Sequence, residues 1–237
     1  CGHVCVLNSM ALGLAGVTKK TVPPSGGQID KDTKTSEPTG ILRENAMDLA
    51  WKAVPELSEE ELTKACDLAC QKAVESGLTS LHWSISSPAE IRVIQKLRAE
   101  NKLPIRVYIV IPVDFLDRLI DLGLCTGFGD NVVKVGSVKI FADGSLGART
   151  ATLIEPYSDD PSTKGMSLYS QEQLNALVEK AHKASLQLAI HAIGDQAVDM
   201  VLTALERALK KEPRKESRHR VEHASVLNEG LIRRMKK

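Results

Sequence analysis

From residue 58 onward, short apolar segments of strand length alternate strictly with longer segments of helical periodicity. The predicted strands cover 78–83, 105–111, 138–142, 186–192 and 219–224. Helices separate them, and the first begins with a capping box of Ser58 and Glu61 and ends at Gly77. Strands that are apolar on both faces and joined by helices are typical of a parallel sheet. The alternation therefore predicts an α/β fold.

The length of the chain limits how much of a closed barrel it can form. A complete (β/α)8 barrel takes roughly 250 residues. This chain has 237, and its first 57 lack the alternation. We therefore predict two regions: a partial (β/α)8 TIM-type barrel over 58–237, and an irregular N-terminal insertion that carries substrate loops over 1–57.

Two long segments are predicted as loops that shape a binding pocket. Segment 18–40 is rich in Pro, Gly, Thr and Lys, and we expect an irregular excursion with a short hairpin around Gly26–Gly27. Segment 143–169 is the second, and loops of this length in compact domains are usually functional. Within the insertion, short helices are predicted over 8–16 and 42–54.

The composition gives no bulk attraction to nucleic acid or membranes, so neither is expected as a partner. The chain has 31 basic and 30 acidic residues, and no apolar run approaches the roughly 20 residues of a spanning helix. Its five cysteines suggest no disulfide framework. Cys66 and Cys70, spaced i, i+4, are predicted as small buried hydrophobic residues rather than zinc ligands. We therefore expect a reducing, cytoplasmic setting.

Three consecutive predicted strands carry Lys139, His191 and His223. In a parallel barrel, catalytic groups project from the carboxyl ends of strands, so these side chains could converge. Neutral imidazole is a good zinc ligand. Lys139 can join only if carbamylation turns its ammonium group into a carboxylate. The spacing leaves two alternatives open: a buried ion pair of Lys139 with Asp143, and histidines that are satisfied core residues.

Two polar residues outside these strands have simpler predicted roles. Asp195 follows the strand at 186–192 and is predicted as the N-cap of the next helix. His182 is predicted on a solvated helix face. Neither is expected to carry chemistry.

Several motifs extend along the chain in a fixed order. They are H-x4-NS-x-AL-x-x-AG (3–16), GGQI (26–29), TGILRENA (39–46), GLTSLHW (77–83), VKIFADGSLGARTATLIEPY (138–157), HAIGDQAVDMVL (191–202) and VEHA (221–224). Together they closely resemble the YtcJ-like branch of the amidohydrolase superfamily, which includes N-substituted formamide deformylases. The resemblance covers essentially the whole chain.

The resemblance implies a metal-bearing (β/α)8 barrel, of which this chain matches about strands two to six. It implies that His191 and His223 are the metal ligands of strands five and six. Lys139 matches the strand-four lysine, which is carboxylated in many amidohydrolases. The implied cofactor is a divalent metal, and zinc is the ion we expect.

The resemblance also implies a substrate and a reaction. In the family mechanism, a metal-activated water attacks an amide-like carbonyl, so we expect hydrolysis of a non-peptide C–N bond in a small molecule. Three residues are expected near that substrate: Arg149, His3 and Asn8.

Two parts of the family pattern are absent from this sequence. No H-x-H pair for strand one occurs in the 237 residues, and no strand-eight aspartate follows the last predicted strand. The resemblance thus implies an internal fragment with its catalytic base unassigned, and we expect no meaningful hydrolysis by this chain alone. Two other functions stay open: an aldolase-type barrel in which Lys139 forms a Schiff base, and a non-catalytic α/β module that assembles, as a homo-oligomer for instance, through open sheet edges.

Overall fold

The computed structural model describes residues 2–236, which form one antiparallel and one parallel sheet. The antiparallel sheet has the strands β1 (Val4–Val6), β2 (Gly27–Lys31) and β3 (Pro38–Glu44), in the order β1–β3–β2. The parallel sheet has the strands β4 (Ser80–Ser84), β5 (Arg106–Pro112), β6 (Val133–Phe141), β7 (Gln187–Ala192) and β8 (Arg220–His223). The α-helices are α1 (Ser9–Leu14), α2 (Asp48–Trp51), α3 (Glu59–Glu75), α4 (Pro88–Ala99), α5 (Leu116–Asp121), α6 (Gln171–Lys183), α7 (Asp195–Lys211) and α8 (Glu229–Met235).

The parallel sheet confirms the predicted partial barrel. Its strands lie in chain order from β4 to β8, and every neighbouring pair is parallel. The sheet is strongly curved, so that its two outer strands approach each other. Arg220 on β8 donates a hydrogen bond of 3.1 Å to His82 Nδ1 on β4, although three strands lie between them. Its two edge strands are β4 and β8.

The main core lies between the parallel sheet and its helices. Alternate residues of the central strands, such as Ile109, Ile140 and Leu188, are almost fully buried. The long helix α7 buries Val198 and Val201 against them, as its apolar periodicity predicts. Side chains on this helix-facing side hold the sheet together, which leaves the concave side free for polar groups.

Local sequence signals fix the helix ends. The capping box of Ser58 and Glu61 is present at α3, and an equivalent box of Ser170 and Gln173 begins α6. Inside α3, Cys66 and Cys70 are buried, and burial raises the pKa of the Cys66 thiol to about 11. The thiol therefore stays protonated and packs as a small apolar group, as the spacing predicts.

The prediction for segment 18–40 is wrong in part. The structure places β2 and the start of β3 in this segment, and they form a hairpin whose turn lies at 32–37 rather than at Gly26–Gly27. The helix predicted over 42–54 is also shorter, because β3 continues to Glu44 and α2 covers only Asp48–Trp51. Long-range pairing of β3 with two strands outweighs the local helical pattern there.

Two further residues differ from their predicted roles. Gly194, not Asp195, is the N-cap of α7, and the Asp195 carboxylate accepts the Ile154 N–H at 2.9 Å. His182 is buried rather than solvated, and its ring contacts His219, which lies just before β8. Both residues contact segments that are distant in the chain, and local sequence patterns do not predict such contacts.

The small antiparallel sheet is joined to the barrel by polar contacts at the end of β3. Arg43 donates from Nη1 to the Ala148 carbonyl at 2.6 Å, and Thr150 Oγ1 donates to Glu44 Oε1 at 2.5 Å. Both acceptor and donor in the barrel belong to the loop that follows β6. None of the helices within residues 2–236 has the length and apolar character that crossing a membrane requires.

Candidate metal centre

A cleft of about 500 Å³ lies where the carboxyl ends of β4, β5 and β6 meet the small sheet. Its lining includes Lys139 and Phe141 from β6, Tyr169 before α6, and His3 and Glu44 from the small sheet side. This is the end of a parallel barrel at which binding sites form, because the strand ends and following loops converge there.

Strands β7 and β8 place two imidazole rings side by side next to this cleft. In the parallel register, Phe141 is paired with His191 and Ala192 with His223. The ring centroids of His191 and His223 are 4.7 Å apart. His223 ends β8 in the left-handed region, with φ of 70°. The sheet therefore brings together two of the three predicted metal ligands.

His191 is held as a neutral imidazole. Its side chain is buried, and this burial lowers its pKa to about 4, although the contact with the Gly144 carbonyl acts in the opposite direction. Nε2 lies 2.8 Å from the Gly144 carbonyl oxygen, which can only accept a hydrogen bond. The proton therefore resides on Nε2, and Nδ1 keeps the lone pair that a metal requires.

Lys139 faces the same cleft from β6. Its Nζ lies 4.7 Å from the centroid of the Phe141 ring, and that ring packs 5.2 Å from His191. Burial lowers the pKa of Lys139, while the carboxylate of Glu222 acts in the opposite direction. A lysine with a lowered pKa is more readily deprotonated, which is the form that reacts with carbon dioxide.

The spacing left open an ion pair of Lys139 with Asp143. Within the part of the chain that the structure describes, these two side chains form no ion pair. Asp143 instead accepts hydrogen bonds from three backbone N–H groups at 2.9–3.0 Å, those of Thr152, Ile193 and Gly194. Its Oδ1 is also 3.5 Å from His191 Nε2. Asp143 therefore ties the loop after β6 to the loop after β7 and fixes the position of His191.

His3 is the predicted substrate residue that lies in the cleft. Its ring centroid is 4.8 Å from that of His191 and 6.0 Å from that of Phe141. Its Nδ1 is 2.9 Å from Oε2 of Glu44, and both side chains are buried. Sequence reasoning missed Glu44, because a single acidic residue at a strand end carries no local signal of a partner 41 residues away.

The other two predicted substrate residues have different surroundings. Asn8 is the N-cap of α1 and accepts the Ala11 N–H at 2.9 Å. Arg149 is exposed and pairs with Asp159 at 2.8 Å. Neither is among the residues that line the cleft. Their assignment to substrate binding stays a prediction.

The side chains at this site could supply some, but not all, of the ligands that a divalent metal needs. Two imidazoles, one of them held neutral, lie beside a lysine whose pKa burial lowers. Within residues 2–236, no three His, Cys, Asp or Glu side chains lie together in a metal-holding cluster. A carboxylated Lys139 would supply the oxygen ligand that this set lacks.

A sequence profile of the amidohydrolase family matches residues 1–237. The chain belongs to the amidohydrolase family. This confirms the resemblance read from the motifs, and the curved parallel sheet is the architecture that the resemblance implies.

Two curated sequences are similar to this amidohydrolase chain. It is 40% identical over 242 residues to the putative amidohydrolase YtcJ of Bacillus subtilis, covering 99% of this chain and 44% of that protein. It is 29% identical over 248 residues to the N-substituted formamide deformylase of Arthrobacter pascens, covering 98% of this chain and 44% of that protein. The chain thus spans less than half the length of these relatives.

A solved structure supports the same fold. The crystal structure of an uncharacterized metal-dependent hydrolase from Pyrococcus horikoshii matches with a TM-score of 0.73 and 33% sequence identity. The match covers 99% of this amidohydrolase chain and 45% of that one.

Proposed function

We propose that this chain carries part of the divalent metal centre of a hydrolase that cleaves a non-peptide C–N bond of amide or formamide type. The observation that carries the proposal is the neutral His191 beside His223 at the carboxyl ends of adjacent parallel strands. Support comes from relatives whose names include a formamide deformylase and a metal-dependent hydrolase. Zinc is the proposed ion, because imidazole nitrogen and carboxylate oxygen are ligands that it accepts.

The side chains have distinct roles in this proposal. His191 presents Nδ1, because its Nε2–H is donated to the Gly144 carbonyl. His223 supplies a second imidazole, and Lys139 supplies a carboxylate after carbamylation. When bound, the metal supplies a Lewis acid and lowers the pKa of a coordinated water. Asp143 acts at a distance from the metal by holding the loops that orient His191.

Metal analysis of the purified chain tests the centre directly. We expect the wild-type chain to bind zinc, and we expect His191→Ala and His223→Ala each to lower the bound zinc at least tenfold. His82→Ala is the matched control, because His82 is also a strand histidine but pairs with Arg220 away from the cleft. Equal zinc content in all four proteins would contradict the proposed ligands.

Lys139 also suits a second enzyme class. A lysine whose pKa burial lowers is the nucleophile that Schiff-base chemistry requires. Borohydride trapping with a carbonyl compound such as pyruvate would attach mass to Lys139 if this alternative holds. Stoichiometric zinc that depends on His191 and His223 would exclude it.

The open sheet favours association as a further property. Both edge strands, β4 and β8, have backbone groups on one side that no strand pairs within the described residues. Unpaired edges promote pairing with another chain. We therefore propose that the chain forms homo-oligomers through these edges. The setting that we propose for it is cytoplasmic. Light scattering after size exclusion tests the oligomers, and a monomer at high concentration would contradict them.

A further inference from the structure

A second cavity, of about 690 Å³, lies towards the amino ends of the parallel strands, whereas the cleft of the candidate metal centre lies at their carboxyl ends. Its wall includes Tyr108 of β5, Gln187 at the start of β7 and Arg220 at the start of β8. Within the described part of the chain, no residue lines both this cavity and the cleft. Its volume suits a small molecule, because ligand sites usually have roughly 300–1,000 Å³. We call it the arginine cavity, because three arginines line it: Arg214, Arg218 and Arg220.

The three arginines of this cavity differ in their acidic partners. Arg220 is paired with Glu222 at 2.7 Å. Arg214 lies farther from its partner, at 3.5 Å from Glu212. Arg218 has no ion-pair partner among residues 2–236. Two guanidinium groups of the wall, one unpaired and one loosely paired, can therefore bind an anion from outside the chain.

The positive charge extends along the loop that forms one wall. Residues 210–220 include six lysines and arginines but only two glutamates. One of these, Glu216, is the single acidic residue on the wall within the described residues. Burial raises the pKa of Tyr108, and the charges of Arg220 and Arg218 act in the opposite direction, so their field reaches the cavity interior. A cleft whose walls carry mainly one sign of charge concentrates counter-ions.

Contacts with β7 fix the backbone that carries these arginines. Gln187 donates from Nε2 to the Arg218 carbonyl, and its Oε1 accepts the Tyr108 hydroxyl. The following residue, His219, accepts the Leu188 N–H at 3.0 Å. Arg218 itself has a φ of 48°, in the left-handed region that non-glycine residues rarely adopt. The loop is thus held against the sheet before any ligand arrives, which reduces the entropy that binding costs.

Hydroxyl groups add hydrogen-bond donors to the guanidinium groups. Ser185 and Ser217 line the cavity, and neither hydroxyl makes a hydrogen bond within the described residues. A guanidinium group donates two parallel N–H bonds to an oxyanion. Phosphate oxygens point in tetrahedral directions and accept from arginine and hydroxyl donors on several sides, whereas a carboxylate is planar. This donor set therefore fits a phosphate group better than a carboxylate.

We propose that the arginine cavity binds a phosphate group, either as the free ion or as part of a small phosphate ester. Arg218 and Arg214 supply the guanidinium contacts, and Ser217 supplies a hydroxyl. Arg220 stays paired with Glu222 and contributes its field. This site goes beyond the proposed hydrolase, because it lies towards the other end of the sheet and uses none of the metal-ligand candidates.

Calorimetric titration with inorganic phosphate at constant ionic strength tests the site. We expect Arg218→Gln and Arg214→Gln each to weaken phosphate binding roughly three- to tenfold. Arg233→Gln is the matched control, because Arg233 is exposed on α8 and is not part of the cavity wall. No binding by the wild-type chain, or equal weakening in Arg233→Gln, would overturn the proposal. So would phosphate binding that His191→Ala abolishes, because that binding belongs to the metal centre.

A variant that strengthens binding cannot be explained by a damaged fold. Glu216→Gln removes the acidic side chain of the wall, so we expect it to tighten phosphate binding about two- to fivefold. Glu229→Gln changes the net charge of the chain equally but lies on α8, and we expect no change in affinity. Equal tightening by both variants would mean attraction to net charge alone, which overturns the proposal.

Two further ligands identify what the cavity accepts. Glycerol 3-phosphate that binds more tightly than inorganic phosphate assigns the site to phosphate esters, and the reverse order assigns it to the free ion. Succinate has a similar charge but two planar carboxylates, and we expect it to bind more weakly than phosphate. Succinate binding as tight as that of phosphate overturns the proposal. Failure of the proposed zinc centre in the metal analysis would leave all these affinities unchanged.

Discussion

At the scale of single residues, the site depends on close contacts that leave no space for a larger side chain at Gly144. Gly144 lies between the metal-ligand candidate His191 and the Glu44 carboxylate, and its carbonyl orients the imidazole. A side chain at this position meets Glu44 and Thr150 at once. The loop after β6 is therefore fixed by packing as well as by hydrogen bonds.

We predict that Gly144→Ala destabilises the chain by about 1–3 kcal/mol, the usual cost of overpacking a filled site. Gly147→Ala is the matched control in the same loop, because a Cβ there meets no atom within 4 Å. Urea denaturation measures both free energies of unfolding. Equal free energies of unfolding for the two variants would show that the Glu44 side chain moves aside without cost.

At the scale of secondary-structure elements, a pair of histidines, the buried His182 and the half-buried His219, joins four segments at the opposite end of the sheet. The Leu188 N–H of β7 donates to His219 Nδ1 at 3.0 Å, just before β8. His219 Nε2 and His182 Nδ1 of α6 are 2.8 Å apart, and His182 Nε2 is 2.8 Å from the Glu212 carbonyl after α7. Each ring nitrogen has one partner, so the pair is satisfied only when both rings are neutral.

This pair predicts a loss of stability in acid. Burial, with a smaller contribution from the nearby Arg214 charge, lowers the pKa of His219 from 6.5 to about 4. Between these pH values the unfolded chain binds a proton that the folded chain does not. The stabilisation is therefore complete above pH 6.5 and decreases as the pH falls towards 4, by at most about 3 kcal/mol.

His219→Gln tests this prediction, because glutamine does not titrate and keeps an N–H donor. We expect its free energy of unfolding to fall less steeply than that of the wild-type chain between pH 6.5 and 4. Urea denaturation at a series of pH values gives both slopes. Parallel slopes would assign the acid sensitivity to other groups.

Elements differ in how well local sequence predicts them. The capping box of α3 and the strand β5 lie close to their predicted positions, because their signals are local. The hairpin of β2 and β3 was predicted with its turn in the wrong place, because its register depends on pairing between segments with little apolar periodicity. His182 was placed on a solvated face for a similar reason: its partner His219 is 37 residues away.

At the scale of the whole molecule, this chain contains some of the residues of the proposed metal centre, and the family pattern includes others that it lacks. Lys139, His191 and His223 are present, whereas the strand-one H-x-H pair is not in the 237 residues. The chain spans 44% of its relative from B. subtilis. Activity therefore has to be measured on this chain itself rather than transferred from longer relatives.

We predict that the 237-residue chain, loaded with zinc, hydrolyses N-butylformamide no faster than its His191→Ala variant. The physical reason is that no general base is assigned among its residues to deprotonate an attacking water. Formate release measured over hours provides the rate. Turnover that the wild-type chain shows and His191→Ala lacks would contradict the prediction and would identify a base that the motifs do not reveal.

The sequence by itself determined the order of strands and helices from residue 58 onward, the family, and the three candidate ligands, because periodicity, caps and motifs depend on residues that are close together in the chain. Only the tertiary structure decided which side chains meet. It placed His191 against Gly144, and it brought Glu44 to His3 and the small sheet to the loop after β6. These contacts join residues far apart in the chain, and their energy depends on burial and distance that only the fold creates.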